Sequence, residues 1–221
     1  MNDVQLSRSS LSAIELPVYP GIALADVTLV ASDAQADAAL RALMVADVIG
    51  FDTESKPTFL KGEVSTGPHL VQLAIETQAY LFPISLMSGH AVLKTILESS
   101  HVMKIGFGLG NDRSVLKSRL GIEVQNLLDM GEVLRGPGHK GTVGAKVAMA
   151  HFFGQKFQKS KRIGTSNWAN PRLTDQQLLY AANDAQVALR VYRAWRETQE
   201  PQGSVACAQS SATSVLQATN E

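Results

Sequence analysis

The stretch VIGFDTESKP, residues 48–57, places two carboxylates at the end of a run of apolar side chains. The apolar part is typical of a strand that enters a core, and the run ends on Asp52 and Glu54. Side chains two residues apart on a strand lie on the same face, so these two acids should lie side by side and repel each other. A bound cation would relieve that repulsion.

Two further acids fall beside predicted core elements. Asp112 follows the glycine-rich stretch KIGFGLGN, in the first turn of a predicted helix, where the helix dipole favours an acid for structural reasons alone. Asp184 lies four residues after Tyr180 in LLYAANDAQVAL, so the two share a helical face. That face is otherwise apolar, so Asp184 is either an edge residue or faces a partner that favours negative charge.

Together these acids indicate one kind of chemistry. Carboxylate clusters bind hard divalent cations, and Mg²⁺ uses a few carboxylates together with waters and substrate phosphates. Two such ions about 4 Å apart stabilise both the attacking and the leaving oxygen of a phosphoryl displacement. Asp52, Glu54, Asp112 and Asp184 therefore predict a site for two divalent cations, Mg²⁺ or Mn²⁺.

The composition fits one globular domain and leaves the partner open. The chain has 221 residues, 45% of them hydrophobic, and a net charge of zero, which neither demands nor excludes nucleic acid because binding depends on local charge. Its one cysteine, Cys207, excludes an internal disulfide or a cysteine-based metal site. No apolar run has membrane-spanning length and the N-terminus lacks the apolar core of a signal peptide, so we expect a cytoplasmic protein with no membrane contact. No protein partner can be inferred.

Apolar periodicity and capping residues predict the elements that position the acids. Helices are predicted over residues 32–43, 90–99, 111–120, 142–153 and 174–197. Strands are predicted from residue 48 and over residues 69–76, 79–84, 101–107 and 124–130. Thr174 and Gln177 are spaced as a capping box at the start of the last helix. Hairpins and strand–helix units occur together, so the sheet should be mixed, with helices on both faces.

The two ends of the chain are predicted to lie outside the domain. Residues 1–22 are punctuated by Pro17, Pro20 and Gly21 and predict a loosely ordered N-terminal lead-in. Residues 23–198 form the predicted domain. Residues 199–221 are rich in Ser, Ala and Gln without periodicity, which predicts a disordered tail.

Three motifs resemble a known family. FDTE, KIGFGLGND and YAAND resemble, in order and spacing, the three exonuclease motifs of the DEDD superfamily of 3′–5′ exonucleases. Tyr180, four residues before Asp184, is typical of the tyrosine (DEDDy) subtype. HLVQLAIETQAYLFPI and KSKRIGTSNWANPRLTDQQLLYAANDAQ are similar to segments of ribonuclease D and of the Werner-type exonuclease domain. The resemblance spans about residues 25–197.

The resemblance implies an α/β, ribonuclease-H-like fold with a five-stranded mixed sheet flanked by helices and an active site along the first strand. The implied activity is metal-dependent hydrolysis of terminal phosphodiesters at the 3′ end of RNA or single-stranded DNA, or of a 3′ overhang. The implied products are nucleoside 5′-monophosphates.

The resemblance also implies the role of each site residue. Asp52, Glu54 and Asp184 would hold the metal that carries the nucleophilic water. Asp52 would bridge to a second metal, held also by Asp112. Tyr180, together with Glu54, would orient the attacking water.

Substrate binding is predicted mainly from a basic segment. Residues 156–172 contain five Lys and Arg residues and no acid, so the segment is either a solvated loop or a guide for phosphates. An aromatic in this segment could stack on a base or pack in the core. The substrate-binding candidates are Phe59, Lys159, Lys161, Arg162 and Trp168.

Two other functions compete with catalysis. One is a nucleic-acid-binding domain of the same fold with weak or lost catalysis, against which the complete set of four acids and Tyr180 argues. The other is a nucleotide-binding α/β module built on GFGLG, which lacks an acidic ribose partner at the expected distance and a P-loop lysine. Metal-dependent hydrolysis separates the first from the exonuclease, and a nucleotide titration tests the second.

Overall fold

The structure is a computed structural model that describes residues 15–86, 89–136 and 141–199. The strands are β1 (Val27–Leu29), β2 (Val48–Glu54), β3 (Leu70–Ala74), β4 (Ala79–Pro83), β5 (Met103–Gly106) and β6 (Leu127–Asp129). The helices are α1 (Asp33–Met44), α2 (His90–Glu98), α3 (Asp112–Leu120), α4 (Met130–Val133), α5 (Ala145–Phe153), α6 (Lys161–Gly164) and α7 (Asp175–Gln199). A 3₁₀ turn, Leu24–Asp26, precedes β1.

The strands form one mixed sheet in the order β1-β4-β3-β2-β5-β6. β3 pairs antiparallel with both β2 and β4, whereas β2–β5, β5–β6 and β1–β4 are parallel. The predicted α/β class and mixed sheet are confirmed. The sheet has six strands rather than five, because β1 is a three-residue edge strand too short to show an alternating pattern.

Side-chain alternation on β2 divides the core between the two faces of the sheet. Ile49 and Phe51 pack with residues of α1 and α2 on one face. Gly50 faces α7 on the other, where a Cβ would overlap the carbonyl oxygen of Ala185. Glycine at this position therefore allows α7 to approach β2 closely.

The helix α7 begins where the capping residues predict. The Thr174 N–H donates to Gln177 Oε1 at 3.0 Å, and the Gln177 N–H donates to Thr174 Oγ1 at 3.3 Å. α5 begins three residues later than predicted, at Ala145. The four-residue helices α4 and α6 were not predicted, because one turn carries no periodicity.

The end of the predicted lead-in packs on the domain. Tyr19 and Ile22 are buried, and the Tyr19 hydroxyl donates to Gln186 Oε1 at 2.6 Å. The Tyr19 N–H donates to the carbonyl of Lys156, whose own N–H donates to the carbonyl of Pro17. Residues 17–22 are thus held by backbone and side-chain contacts, in contrast to the loose attachment predicted for residues 1–22. Residues 1–14 and the predicted tail beyond Gln199 lie outside the described residues.

Across the described ranges, each helix is too short or too polar to span a lipid bilayer.

Candidate active site

Three carboxylates meet between the end of β2 and the middle of α7. Asp52 and Glu54 lie two residues apart on β2, and Asp184 lies on the buried face of α7, 5% exposed. One carboxylate oxygen from each lies within 4.8 Å of the other two. The close packing of α7 on Gly50 brings together acids that are more than 120 residues apart in the sequence.

A lysine balances the charge of this cluster. Lys159 Nζ lies 2.7 Å from Asp184 Oδ2. The other carboxylate oxygen of Asp184, Oδ1, is buried and has no hydrogen-bond partner within the described residues. Asp184 therefore retains the capacity to bind a further cationic ligand.

The cluster holds protons more tightly than ordinary carboxylates do. Burial raises the pKa of Asp52 to about 8, and the charge of Asp184 adds to this effect. Burial and the charge of Asp52 raise the pKa of Glu54 to about 9. For Asp184, burial raises the pKa to about 6, and the Lys159 ammonium limits the rise. Burial disfavours the ammonium of Lys159, but Asp184 and Asp52 outweigh it and raise its pKa.

The donor set fits a hard divalent cation. Carboxylate oxygens are the preferred ligands of Mg²⁺ and Mn²⁺, and three of them converge here within 4.8 Å. Asp184 contributes a buried oxygen without a hydrogen-bond donor. A divalent cation would replace the protons and the Lys159 ammonium as the counter-charge of the cluster.

Asp112 lies apart from the three clustered carboxylates. Its Oδ1 accepts a hydrogen bond of 2.7 Å from the hydroxyl of Thr53, whose side chain alternates with those of Asp52 and Glu54 along β2. Burial raises the pKa of Asp112, and the Thr53 hydrogen bond opposes the rise. The charge of Asp112 contributes to the raised pKa of Asp52 and of Glu54, so Asp112 borders the cluster although it lies outside the group of oxygens within 4.8 Å of one another.

The glycine-rich loop before α3 binds a carboxylate of its own chain. Asp129, at the end of β6, accepts hydrogen bonds from the N–H groups of Gly108, Leu109 and Gly131 at 3.1, 2.8 and 2.8 Å. These loop amides are therefore not free for a nucleotide phosphate, which argues against the nucleotide-binding hypothesis. The same bonds fix the loop that leads to Asp112, and no local sequence pattern predicted them.

Tyr180 stands between the cluster and α6. A Cβ at Gly164 would lie 2.6 Å from the Tyr180 hydroxyl oxygen, so the glycine leaves room for that hydroxyl. The Tyr180 ring centroid lies 5.9 Å from that of Trp168 and 5.7 Å from Lys159 Nζ. Trp168 is 2% exposed, and its Nε1–H donates to the Gly164 carbonyl. Contrary to the prediction that it binds substrate, Trp168 is a core residue that supports Tyr180.

The other predicted substrate residues remain accessible. Phe59 is 80% exposed in the loop after β2, where the backbone N–H groups of Phe59 and Leu60 donate to Glu63. Lys161 and Arg162 are exposed on α6. All three lie outside the carboxylate cluster.

A buried amide that was not predicted as a site residue lies beside the cluster. Gln72 on β3 pairs in register with Asp52, is fully buried, and has no partner for either polar side-chain atom within the described residues. A buried amide without a partner destabilises a fold by about 1–3 kcal/mol. The signal was a single polar residue in the apolar run LVQLA.

In the metal-free protein, the free energy of unfolding should fall as the pH rises from 7 to 9. The pKa values of Asp52 and Glu54, about 8 and about 9, exceed the ordinary 3.8 and 4.5, so the folded state holds more protons than the unfolded chain in this window. The free energy of unfolding therefore falls with rising pH until Asp52 and Glu54 have lost their protons in the folded state. Denaturant unfolding in excess chelator measures the fall.

Two comparisons test the origin of this pH dependence. The Glu54→Gln variant lacks one of the two groups and should show a shallower fall. Excess Mg²⁺ should oppose the fall in the parent, because a metal ion replaces the protons. A stability that is constant or rises between pH 7 and 9 would contradict the pKa values above.

The chain resembles characterised exonucleases in sequence and in fold. The profile of a family described as 3′–5′ exonuclease matches residues 27–198. The mouse bifunctional 3′–5′ exonuclease/ATP-dependent helicase WRN is 33% identical over 150 residues, which cover 66% of this chain and 11% of the relative. The chain therefore corresponds to a small part of that protein.

Solved structures agree with this similarity. The Nibbler EXO domain of Aedes aegypti is 26% identical with a TM-score of 0.66, and the match covers 80% of this chain and 89% of that one. Escherichia coli RNase D, at 22% identity, matches in fold with a TM-score of 0.65 over 78% of this chain and 45% of its own. Since the family profile covers most of the sequence, this chain belongs to the 3′–5′ exonuclease domain family.

Proposed function

We propose that the chain is a metal-dependent 3′–5′ exonuclease of the tyrosine (DEDDy) subtype. It removes nucleoside 5′-monophosphates from the 3′ end of RNA or single-stranded DNA, including 3′ overhangs. The observation that carries the proposal is the convergence of Asp52, Glu54 and Asp184 within 4.8 Å in a chain of this family. The cytoplasmic location expected from the sequence stays a prediction.

Four carboxylates would bind two divalent cations, Mg²⁺ or Mn²⁺. Asp52, Glu54 and Asp184 would hold one, and Asp52 and Asp112 the other. Such a pair of ions activates a water and stabilises the attacking and leaving oxygens of the displacement. The Thr53 hydroxyl, bonded to Asp112, orients the carboxylate that lies apart from the rest.

Glu54 and Tyr180 act on the attacking water. Glu54 accepts a hydrogen bond from the water, and the Tyr180 hydroxyl fixes its orientation from the side of α6. The ring of Tyr180 is held by Trp168, and its hydroxyl lies against Gly164. A positioned hydroxyl of this kind matters most in the transition state, where the geometry of attack is strictest.

Lys159 is proposed to contact Asp184 in the metal-free protein and the substrate phosphate in the metal-bound protein. Its ammonium lies beside Asp184 in the metal-free protein. With a cation held by Asp184, the Lys159 ammonium would be available to a non-bridging oxygen of the substrate phosphate. Lys161 and Arg162 on α6 extend the positive charge, and exposed Phe59 supports the terminal nucleotide.

End-labelled oligonucleotides test the proposal. With Mg²⁺ or Mn²⁺, a 5′-labelled strand should give a ladder that shortens from the 3′ end, and a 3′-labelled strand should release labelled mononucleotide at once. Excess chelator should stop both reactions. A 3′-phosphate should slow the reaction, because it brings negative charge towards the acidic cluster. Matched RNA and DNA strands show whether the site reads the 2′-hydroxyl.

Three outcomes would contradict the proposed activity, and a fourth would support the alternative function. Internal cleavage, degradation from the 5′ end, or hydrolysis that continues in chelator would each overturn the proposed activity. Strand binding without hydrolysis would support the alternative of a catalytically weak nucleic-acid-binding domain.

A further inference from the structure

A large groove lies beside the carboxylate cluster. Its volume is about 1570 Å³, which exceeds the roughly 300–1,000 Å³ typical of pockets for small ligands. Its walls come from α5, from the connection that leads from α5 to α6, from α6, from α7 and from residues 15–18. A groove of this volume is large enough for several units of a polymer.

One face of α7 joins the groove to the catalytic cluster. Gln176, Leu179, Tyr180 and Asn183 line the groove, and their spacing of three and four residues places them on the same helical face. Lys159 lines the groove and contacts Asp184 of the cluster, and Tyr180 lines the groove beside Lys159. A chain that lies in the groove therefore reaches the cluster at Tyr180.

The groove carries a positive charge that the rest of the described structure does not neutralise. Its ionisable lining residues are Lys146, Lys156, Lys159, Arg162 and one acid, Glu15. Lys159 pairs with Asp184, whereas Lys146, Lys156 and Arg162 form no ion pair with any acid of the described residues. Lys146 and Lys156 are exposed. Unpaired cations along a groove match the repeating charge of a phosphodiester backbone.

One part of the groove lining is apolar and comes from residues that precede the match to the family profile. Leu16, Pro17 and Val18 line the groove, and Val18 is 52% exposed. Backbone pairing with Lys156 holds this segment in place. The family profile begins only at residue 27. The segment that forms this wall therefore lies outside the part of the chain that the family profile matches.

From these features we propose that the groove binds the single strand upstream of the scissile phosphodiester, an inference that rests on the proposed exonuclease function. Lys146 and Lys156 bind phosphates, and the wall formed by residues 16–18 contacts the bases without reading their sequence. The strand then passes Lys159 and Tyr180 to place its 3′ end at the carboxylates. The N-terminal segment is thus part of the substrate site.

A double variant tests the groove by binding rather than by turnover. Lys146→Gln together with Lys156→Gln should weaken binding of a fluorescent 12-mer single strand by roughly tenfold near 0.1 M salt, as measured by anisotropy in excess chelator. The slope of log K against log salt concentration should become less negative by about 1.4. Each phosphate contact with a single strand contributes about 0.7 to that slope, and two contacts are removed. The loss of affinity caused by the two substitutions should become smaller as the oligonucleotide is shortened from a 12-mer to a dinucleotide.

Two control variants complete the design. Lys94→Gln together with Lys117→Gln removes the same charge from α2 and α3 on the far face of the sheet and should leave 12-mer binding unchanged. Lys146→Arg together with Lys156→Arg keeps the charge and should retain the affinity. Melting temperatures establish that the variants, all at exposed positions, remain folded.

Strand binding and hydrolysis are measured separately, so the groove assignment and the exonuclease activity can each fail without the other. Undiminished 12-mer binding by the glutamine double variant, or an equal loss in the far-face control, would overturn the groove assignment even if the parent is an active exonuclease. A parent that binds the 12-mer through Lys146 and Lys156 but hydrolyses nothing would support the groove and overturn the exonuclease activity.

Discussion

Asp52→Asn should lower the turnover of 3′-terminal hydrolysis by at least about a thousandfold. Asp52 is the one residue proposed to contact both cations, which supply several kcal/mol of transition-state stabilisation, and each 1.36 kcal/mol is a factor of ten in rate. Isothermal titration with Mn²⁺ should show weaker binding as well. Turnover is measured on a 3′-labelled single strand at saturating metal.

The same variant should remain folded without metal. The environment of Asp52 already favours its neutral form, with a pKa of about 8, and asparagine is a neutral residue of nearly the same shape. The melting temperature in chelator should therefore be unchanged or higher. Asp37→Asn, at an exposed position of α1, is the matched control and should keep full activity. A large fall in the metal-free melting temperature would identify Asp52 as a structural residue instead.

Tyr180→Phe should lower turnover by about a hundredfold or more with little change in KM. The substitution removes only the hydroxyl and keeps the packing against Trp168. Positioned side chains that act on a reacting water contribute about 10²–10⁴-fold to a rate. An interaction made mainly in the transition state affects kcat rather than binding. Steady-state kinetics on a short single strand distinguish the two parameters.

Gly164→Ala provides an independent check of the same hydroxyl. The added methyl group would lie 2.6 Å from the Tyr180 oxygen and should displace it. This variant keeps the tyrosine and should still lose turnover. Ser160→Ala, on the neighbouring segment, changes only the cap of the short helix α6 and serves as the control for local distortion. Full turnover in both Tyr180→Phe and Gly164→Ala would show that Tyr180 is a packing residue.

Local sequence patterns determined the elements and the identity of the acids. Residue 48 starts β2, the Thr174–Gln177 capping box starts α7, and Asp112 falls in the first turn of α3, each as predicted. These features depend on residues within a few positions of one another, so strand alternation, helical spacing and capping residues record them directly. For the same reason, the sequence identified Asp52, Glu54 and Asp184 as acids at the end of a core strand or on the apolar face of a helix.

Tertiary packing decided how those side chains meet. The approach of α7 to Gly50 brings Asp184 beside Asp52, and the connection after α5 delivers Lys159 to Asp184. The Thr53 hydroxyl holds Asp112 at the border of the cluster, and Trp168 is enclosed by the core.

The groove is likewise a product of tertiary structure. Its walls combine residues 15–18 with α5, α6 and α7, which follow more than 120 residues later in the sequence. No local pattern encodes such contacts, because distances between remote segments depend on how helices and loops pack on the sheet. The sequence by itself therefore determined the identity of the candidate site residues, and the packing of α7 and of residues 15–22 on the domain decided the geometry of the site and of the groove beside it.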